Sequence, residues 1–160
     1  MDWVLLSYRV PRDPSTPRIA IWRRLRRLGV APLGDGLVAL PEDARTRERL
    51  EWVADQVEAA GGTATLWRAE TLSRAEERRL AEEMSLARRE EYLSIIHDAQ
   101  AADSASEVEQ ARRVKRLRRE LRDVQRRDYF PPAEREIARI EVDELARATW
   151  TALETGNGTR

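Results

Sequence analysis

The sequence lacks several residue types on which catalytic or covalently stabilised proteins depend. It has no cysteine, a single histidine and no hydrophobic run that approaches the roughly 18 residues of a membrane span. Without cysteine there are no disulfides, thiolate metal sites or cysteine nucleophile, which is typical of a reducing compartment. The N-terminus has no basic segment that leads into an apolar one. We therefore expect a cytoplasmic protein with no membrane partner.

Groups for catalysis or metal binding are equally scarce. The only histidine, His97, stands beside Asp98 in a helical segment, and no converging partners accompany it. Gly34-Asp35-Gly36 is predicted to be a turn, and no glycine-rich loop suited to cradling phosphate occurs. We expect no enzyme activity, no catalytic residues, no cofactor and no metal site.

Charge is abundant, but it is balanced overall and segregated locally. Charged residues make up 36% of the 160 residues, and 29 basic residues offset 29 acidic ones. The whole chain therefore has no general attraction to polyanions. Over residues 70–109 acidic residues outnumber basic ones, whereas residues 112–127 contain nine basic residues and only two acidic ones, Glu120 and Asp123. Nearly all the basic residues are arginines, which can bind carboxylate or phosphate in a bidentate manner.

The first 70 residues alternate between strand and helix patterns. Trp3–Val10 predicts a strand, and a helix follows in which Ser15 or Thr16 is the N-cap and Gly29 the terminator. Its apolar face is predicted to contain Ile21, Trp22, Leu25 and Leu28.

A hairpin, a second helix and a last strand complete this half. Asp35-Gly36 joins two short strands, 30–33 and 37–40, because both residues tolerate positive φ. Asp43 is suited to cap a helix over 44–60, and Thr63–Trp67 reads as the last strand. The order βαββαβ predicts an α+β, ferredoxin-like domain with an antiparallel four-stranded sheet and both helices on one face.

The second half is predicted to be helical. Capping-box spacings occur at Ser73–Glu76, Ser104–Glu107 and Ser106–Glu109. With the break expected at Tyr129-Phe130-Pro131-Pro132, they divide the segment into two or three long helices, over about 74–102, 108–128 and from 132 onward. Their expected apolar positions are Leu80, Met84, Leu86, Ala87, Leu93 and Ile96, then Val114, Leu117, Leu121 and Val124, then Ile137, Ile140, Leu145, Ala148 and Leu153. We expect domains at 1–70 and 71–155, with a flexible tail over 156–160.

Two blocks of sequence carry a family resemblance. The first comprises Trp3-Val4-Leu5-Leu6-Ser7-Tyr8-Arg9-Val10-Pro11, Pro14-Ser15, Trp22-Arg23-Arg24-Leu25, Leu28-Gly29 and Asp35-Gly36-Leu37-Val38-Ala39-Leu40-Pro41. The second runs from Arg118-Arg119-Glu120-Leu121 through Arg126-Arg127-Asp128-Tyr129-Phe130-Pro131. Together they resemble the N-terminal domain of ChrB, a family of chromate-resistance regulatory proteins.

The resemblance implies a ferredoxin-like domain followed by helices, and a role in transcriptional control of a chromate-efflux operon. It also implies kinship with the sheet domain of PaaX-type repressors, which precede that module with a winged helix, and with small CRISPR-associated nucleases. Those nucleases hold a metal with an acidic residue at the end of the first strand, where this chain has Arg9 and Arg12 with Asp13 as the nearest acid. Longer ChrB proteins contain a further C-terminal domain, so sensing chemistry housed there is not implied for this sequence.

The arginine-rich helix faces are the candidate DNA-binding surface. They would contact phosphates through Arg23, Arg24, Arg26, Arg27, Arg112, Lys115, Arg116, Arg119, Arg122 and Arg126. The five tryptophans are expected to be core and docking residues and not base-stacking platforms. In the alternative, the basic helix pairs with the acidic one or with another protein, and the sheet edge and charge-segregated helices form an assembly module.

A second candidate site surrounds the proline-rich turn after the first strand. Arg9, Arg12 and Arg18 bracket this turn and could meet an oxyanion such as chromate at a helix N-terminus. In the alternative, Arg9 and Arg12 pair with Asp13 or with a neighbouring helix. We further expect a DNA-binding homodimer.

Overall fold

The computed structural model describes residues 1–101 and 105–156. Its elements in chain order are β1 (Trp3–Arg9), α1 (Ser15–Leu28), β2 (Ala31–Gly34), β3 (Leu37–Pro41), α2 (Ala44–Ala59), β4 (Thr63–Ala69), α3 (Arg74–Gln100), α4 (Glu107–Arg126) and α5 (Glu134–Gly156). Contacts divide the chain into a first unit, Met1–Met84, and a second unit that begins at Ser85 within α3. No helix in the described ranges is long and apolar enough to cross a membrane.

The first unit has the predicted ferredoxin-like topology. The sheet order is β2-β3-β1-β4, and every neighbouring pair is antiparallel. On one face Leu6 lies between Val38 and Leu66, and α2 packs against β1 and β4 with α1 beside it. The core contains Leu6, Val38, Ile21, Leu25, Leu50, Val53 and Val57, all nearly inaccessible to solvent. The α+β prediction is confirmed.

The chain turns tightly between β2 and β3, although not as the sequence predicted. Gly36 has φ +68°, whereas Asp35 does not adopt a positive φ. The Gly36 carbonyl accepts a 2.8 Å hydrogen bond from the Tyr8 backbone N–H, and a Cβ at Gly36 would lie 2.3 Å from the Tyr8 carbonyl oxygen. Only glycine therefore fits at this position.

Helix ends follow the predicted capping chemistry in most places. Asp43 accepts a 2.7 Å bond from the Thr46 N–H, and Gly29 adopts a left-handed conformation with φ 75°. The prediction for the start of α1 was wrong: Pro14 is the N-cap and makes no side-chain bond, and Ser15 is already helical. Ser104 and the end of the expected tail, 157–160, lie outside the described residues.

The second unit is built around one cluster from three helices. Tyr92, Ile95, Ile96 and Ala99 of α3 pack with Leu117, Leu121 and Val124 of α4 and with Ala138 and Val142 of α5. The four predicted apolar positions of α4 are all buried. Other predicted apolar positions were wrong. Leu86 and Leu93 on α3 and Ile137 and Ile140 on α5 have exposures of 53%, 38%, 45% and 39% respectively, and Ala87 and Ala148 are exposed as well. The predicted Leu153 lies outside the described side chains.

Candidate nucleic-acid interface

Helix α4 separates an apolar face from a basic one. Its N-terminus is fixed by a capping box, in which Glu109 Oε2 accepts a 2.8 Å bond from the Ser106 N–H. This bond lowers the pKa of the Glu109 carboxyl, which keeps it charged at the positive end of the helix dipole. Val114 is buried, and Leu117, Leu121 and Val124 are buried in the cluster. Helical periodicity therefore directs most of the arginines away from this face.

Some of the predicted DNA-binding cations on α4 already have acidic partners. Arg116 Nη1 lies 3.3 Å from Asp98 Oδ2 and 3.0 Å from Glu120 Oε1, and the bond to Glu120 raises the Arg116 pKa. Arg126 lies 3.8 Å from Asp123, and Arg127 pairs with Glu91 of α3. The charge-matched pairing of α3 with α4 therefore involves particular residues and not the whole basic face.

Four other cations form an open row along the outer face of α4. Arg112, Lys115, Arg119 and Arg122 are exposed, and none forms an ion pair with any described residue. They are spaced three or four residues apart, so they line one side of the helix and span about 15 Å at 1.5 Å per residue. This row, Arg112–Lys115–Arg119–Arg122, is hereafter called the basic row.

The end of α4 is anchored by a buried polar contact. The Asp128 side chain is fully buried, and its Oδ2 accepts a 2.7 Å bond from the Tyr92 hydroxyl and a 3.4 Å bond from Arg135. Burial, reinforced by the bond to Asp128, raises the pKa of Tyr92. This contact joins α3 to the turn between α4 and α5. It therefore holds the C-terminal end of α4 next to α3.

Replacing Tyr92 with Phe tests this anchor through its pH dependence. At pH 7 we expect a loss of about 1–2 kcal/mol in unfolding free energy, because the buried Asp128 carboxylate loses a partner. Since the folded pKa lies above the ordinary value of 10.0, the unfolded chain releases the proton first. Wild-type stability should therefore fall more steeply above pH 10 than that of Tyr92→Phe. Urea titrations from pH 7 to 11 measure both; parallel curves would contradict the assignment.

The arginines of α1 are divided in a similar way. Arg24 is half-buried and donates a 3.0 Å hydrogen bond to Gln56 Oε1 of α2, whereas Arg23, Arg26 and Arg27 are exposed without ion pairs to described residues. Arg24 thus contributes to the packing of α1 against α2. The other three remain open to a ligand.

The turn after β1 forms a cleft that contains two of the three predicted oxyanion residues. Arg9 and Arg12 line a cavity of about 570 Å³ together with Val10, Pro11, Gly61, Gly62 and Thr63. Both arginines are exposed and neither pairs with Asp13 or any other described acid. Arg18, in the first turns of α1, is exposed and does not line this cavity.

Comparison with known proteins shows the family. The family model described as "Protein ChrB, N-terminal" matches residues 18–112, which is more than half of the chain. The chain belongs to the ChrB N-terminal family. The Protein ChrB of Cupriavidus metallidurans is 29% identical over 133 residues, covering 81% of this chain and 40% of that protein. No solved structure matches the chain significantly.

The family match does not extend along all of α4. The matched segment includes the α1 arginines and ends at Arg112, the first position of the basic row, so Lys115, Arg119 and Arg122 lie beyond it. The proposal for the row therefore rests on the geometry of this chain.

Four of the five tryptophans are not core residues, and a docking role for them stays a prediction. Trp3 is buried, but Trp22, Trp52, Trp67 and Trp150 are 42%, 52%, 55% and 65% exposed. Trp67 donates its indole N–H to Ser7 on the sheet face opposite α2, and Trp150 donates to Glu154 on its own helix. Helical spacing put Trp22 with the apolar residues of α1, but Trp22 lies at the edge of that stripe and its ring extends into solvent.

The remaining residues with potential for chemistry are solvent-facing. The His97 side chain is 85% exposed and lies 3.7 Å from Asp98, and Asp13 is exposed in the turn after β1. Within residues 1–101 and 105–156, no three acidic or histidine side chains are grouped to hold a metal ion.

Proposed function

We propose that this chain is a non-enzymatic, DNA-binding part of a chromate-resistance regulator of the ChrB type. The observation that carries the proposal is the basic row: four exposed cations on one side of a rigid, capped helix, without acidic partners among the described residues. Phosphate binding needs exposed cations in a fixed arrangement, which can replace the counterions condensed on the DNA.

The distribution of ion pairs favours this proposal over a protein-assembly module. In an assembly module, acidic side chains of α3 would neutralise the basic helix. Arg116 and Arg127 pair with acids of α3, but the four cations of the basic row have no acidic partner among the described residues. Arg23, Arg26 and Arg27 of α1 provide further exposed cations. Contacts of this type position a protein on DNA without reading its sequence, so operator choice requires additional contacts.

A titration against duplex DNA tests the proposal. The full chain would be added to a labelled fragment from upstream of its own operon and to a scrambled duplex at about 50 mM salt, and binding followed by fluorescence anisotropy. We expect both to bind, since non-specific phosphate contacts alone give dissociation constants of about 10⁻⁴–10⁻⁶ M at physiological salt. The operon fragment should bind more tightly. No binding to either duplex at about 100 µM protein would refute the proposal.

We further propose that the cleft beside Arg9 and Arg12 receives an oxyanion effector such as chromate. Two exposed guanidinium groups that line the cleft, with no acidic partner among the described residues, suit a tetrahedral dianion. If so, chromate should shift the DNA affinity of the wild type, and Arg9→Gln with Arg12→Gln should abolish the shift while DNA binding without chromate stays within about threefold. Arg18→Gln, outside the cleft, is the matched control. An unchanged chromate response in the Arg9 and Arg12 variant would contradict this assignment.

A further inference from the structure

The second unit contains a cavity between the first half of α4 and the second half of α5. Its volume is about 650 Å³, and its walls come from within residues 111–118 of α4 and 143–151 of α5. Sites for small molecules usually have volumes of about 300–1,000 Å³. This space, hereafter the α4–α5 cavity, is lined by residues other than those of the basic row.

Small side chains on both helices leave this space open. Ala111, Val114 and Arg118 follow one another at intervals of three and four residues, so they lie on one face of α4. Ala146 and Trp150 are one turn apart on α5 in the same way. The two alanine side chains end at Cβ, whereas Val114 and the Trp150 indole provide broad apolar walls. The cavity can therefore bury an apolar group, and the indole offers it an aromatic surface.

Two cations at this cavity have no acidic partner. Arg118 and Arg147 both line it and are exposed, and neither forms an ion pair with any described residue. Asp143 is the only acid among the described lining residues, and its Oδ2 accepts a 2.9 Å hydrogen bond from Arg139 Nη1. The charge of Asp143 is thus balanced by Arg139, which leaves the α4–α5 cavity with an excess of positive charge.

The other polar side chains of the cavity are bonded within α5. The hydroxyls of Thr149 and Thr151 donate to backbone carbonyls one turn earlier, at 2.8 and 3.0 Å. The Trp150 indole N–H donates to Glu154 Oε1 at 3.0 Å. Only the two guanidinium groups therefore remain to select a ligand, and guanidinium binds carboxylate, sulfonate and phosphate groups through paired hydrogen bonds.

We propose that the α4–α5 cavity binds a small organic anion with an aromatic body. The body lies against Val114 and the Trp150 indole, and the anionic group meets Arg118 and Arg147. An inorganic oxyanion has no apolar part to bury against these walls, so this site differs in its ligand from the Arg9 cleft. It uses no residue of the basic row, and its occupancy does not depend on DNA binding.

Titration with anilinonaphthalene sulfonate tests the site in the absence of DNA. This probe joins two aromatic groups to one sulfonate, and its fluorescence rises when it leaves water. We expect saturable binding to the full chain, weakened at least about tenfold by Ala146→Phe, because the phenyl ring occupies the cavity. Ala152→Phe is the matched control, since Ala152 is exposed on α5 and does not line the cavity; it should bind as the wild type does. Circular dichroism checks that each variant is folded.

A second pair of substitutions separates charge from apolar burial. Arg118→Gln with Arg147→Gln should weaken binding of the sulfonate probe at least about tenfold, because its charge-assisted hydrogen bonds are lost. The uncharged probe phenylnaphthylamine has the same aromatic groups and should bind the variant and the wild type equally. Arg26→Gln with Arg27→Gln, at two exposed positions of α1, is the matched control and should leave both probes unaffected.

Three results would overturn the proposal. They are a wild type without saturable binding up to about 100 µM probe, a folded Ala146→Phe variant that binds like Ala152→Phe, and an Arg118 and Arg147 variant that binds the sulfonate probe like its control. If Ala146→Phe does not fold, the arginine variants decide, because their side chains are exposed. No DNA is present, so these results are independent of the role proposed for the basic row.

Discussion

A variant with Arg112→Glu, Lys115→Glu and Arg119→Glu should lose DNA affinity by at least about a thousandfold. Three charge-assisted hydrogen bonds to phosphate at about 1.5 kcal/mol each account for a loss of that size, before repulsion between the new carboxylates and DNA is added. The three side chains are exposed and have no ion pairs with described residues, so their replacement leaves the cluster beneath α4 intact.

The matched control carries Arg45→Glu, Arg74→Glu and Arg78→Glu. These arginines are also exposed and without ion pairs among the described residues, but they lie in the first unit, on α2 and the start of α3. The control changes the net charge by the same amount, so any general electrostatic effect appears equally in both variants. Equal losses of affinity in the two variants would show that net charge, and not the basic row, governs binding.

Leu117→Ala should cost about 3 kcal/mol in unfolding free energy. Leu117 is 0% exposed at the middle of α4, within the cluster that joins the three helices of the second unit. Truncating a fully buried leucine removes its transfer energy and leaves a cavity, with measured costs of about 2–5 kcal/mol. Urea denaturation followed by circular dichroism provides the measurement, because the helices supply most of the signal.

Leu72→Ala is the control for this substitution. Leu72 is 102% exposed between β4 and α3, so the same change of side chain should alter stability by less than about 0.5 kcal/mol. If Leu117→Ala lowered the unfolding free energy no more than Leu72→Ala does, α4 would not be packed on α3 and α5 through Leu117. The orientation of the basic row would then lose its support.

The sequence correctly predicted which face of α4 is buried, because the apolar and charged residues of this helix lie on opposite sides. From Arg112 onward the residues opposite Val114, Leu117, Leu121 and Val124 are charged, so only one face of this part of the helix can be buried. The βαββαβ order was equally clear, since glycine, proline and a capping aspartate mark the ends of its elements.

For α5 the sequence was compatible with two different buried faces, and the prediction chose the wrong one because its side chains are larger. Ile137 and Ile140 follow helical spacing as well as Ala138 and Val142 do, and size alone favoured the isoleucines. The structure buries the smaller pair. We attribute this to close packing of α5 on its neighbours, which is a property of the three-helix assembly and not of local periodicity.

The pairing of the arginines could not be read from sequence. Whether Arg116 or Arg119 meets an acid depends on the register of α4 on α3, which places Asp98 beside Arg116. The Arg9 cleft has a similar origin. Sheet pairing aligns Arg9 with Thr63 and brings the chain after α2 next to the turn after β1. Contacts of this kind join residues that are distant in sequence.

The salt dependence of DNA binding tests the role of the basic row most directly. The logarithm of the binding constant would be measured against the logarithm of salt concentration for the wild type and for Arg112→Gln, Lys115→Gln and Arg119→Gln combined. Each phosphate contact contributes about 0.9 to the slope, so the neutralised variant should show a slope shallower by about 2.7. An unchanged slope would mean that the basic row does not touch the DNA backbone.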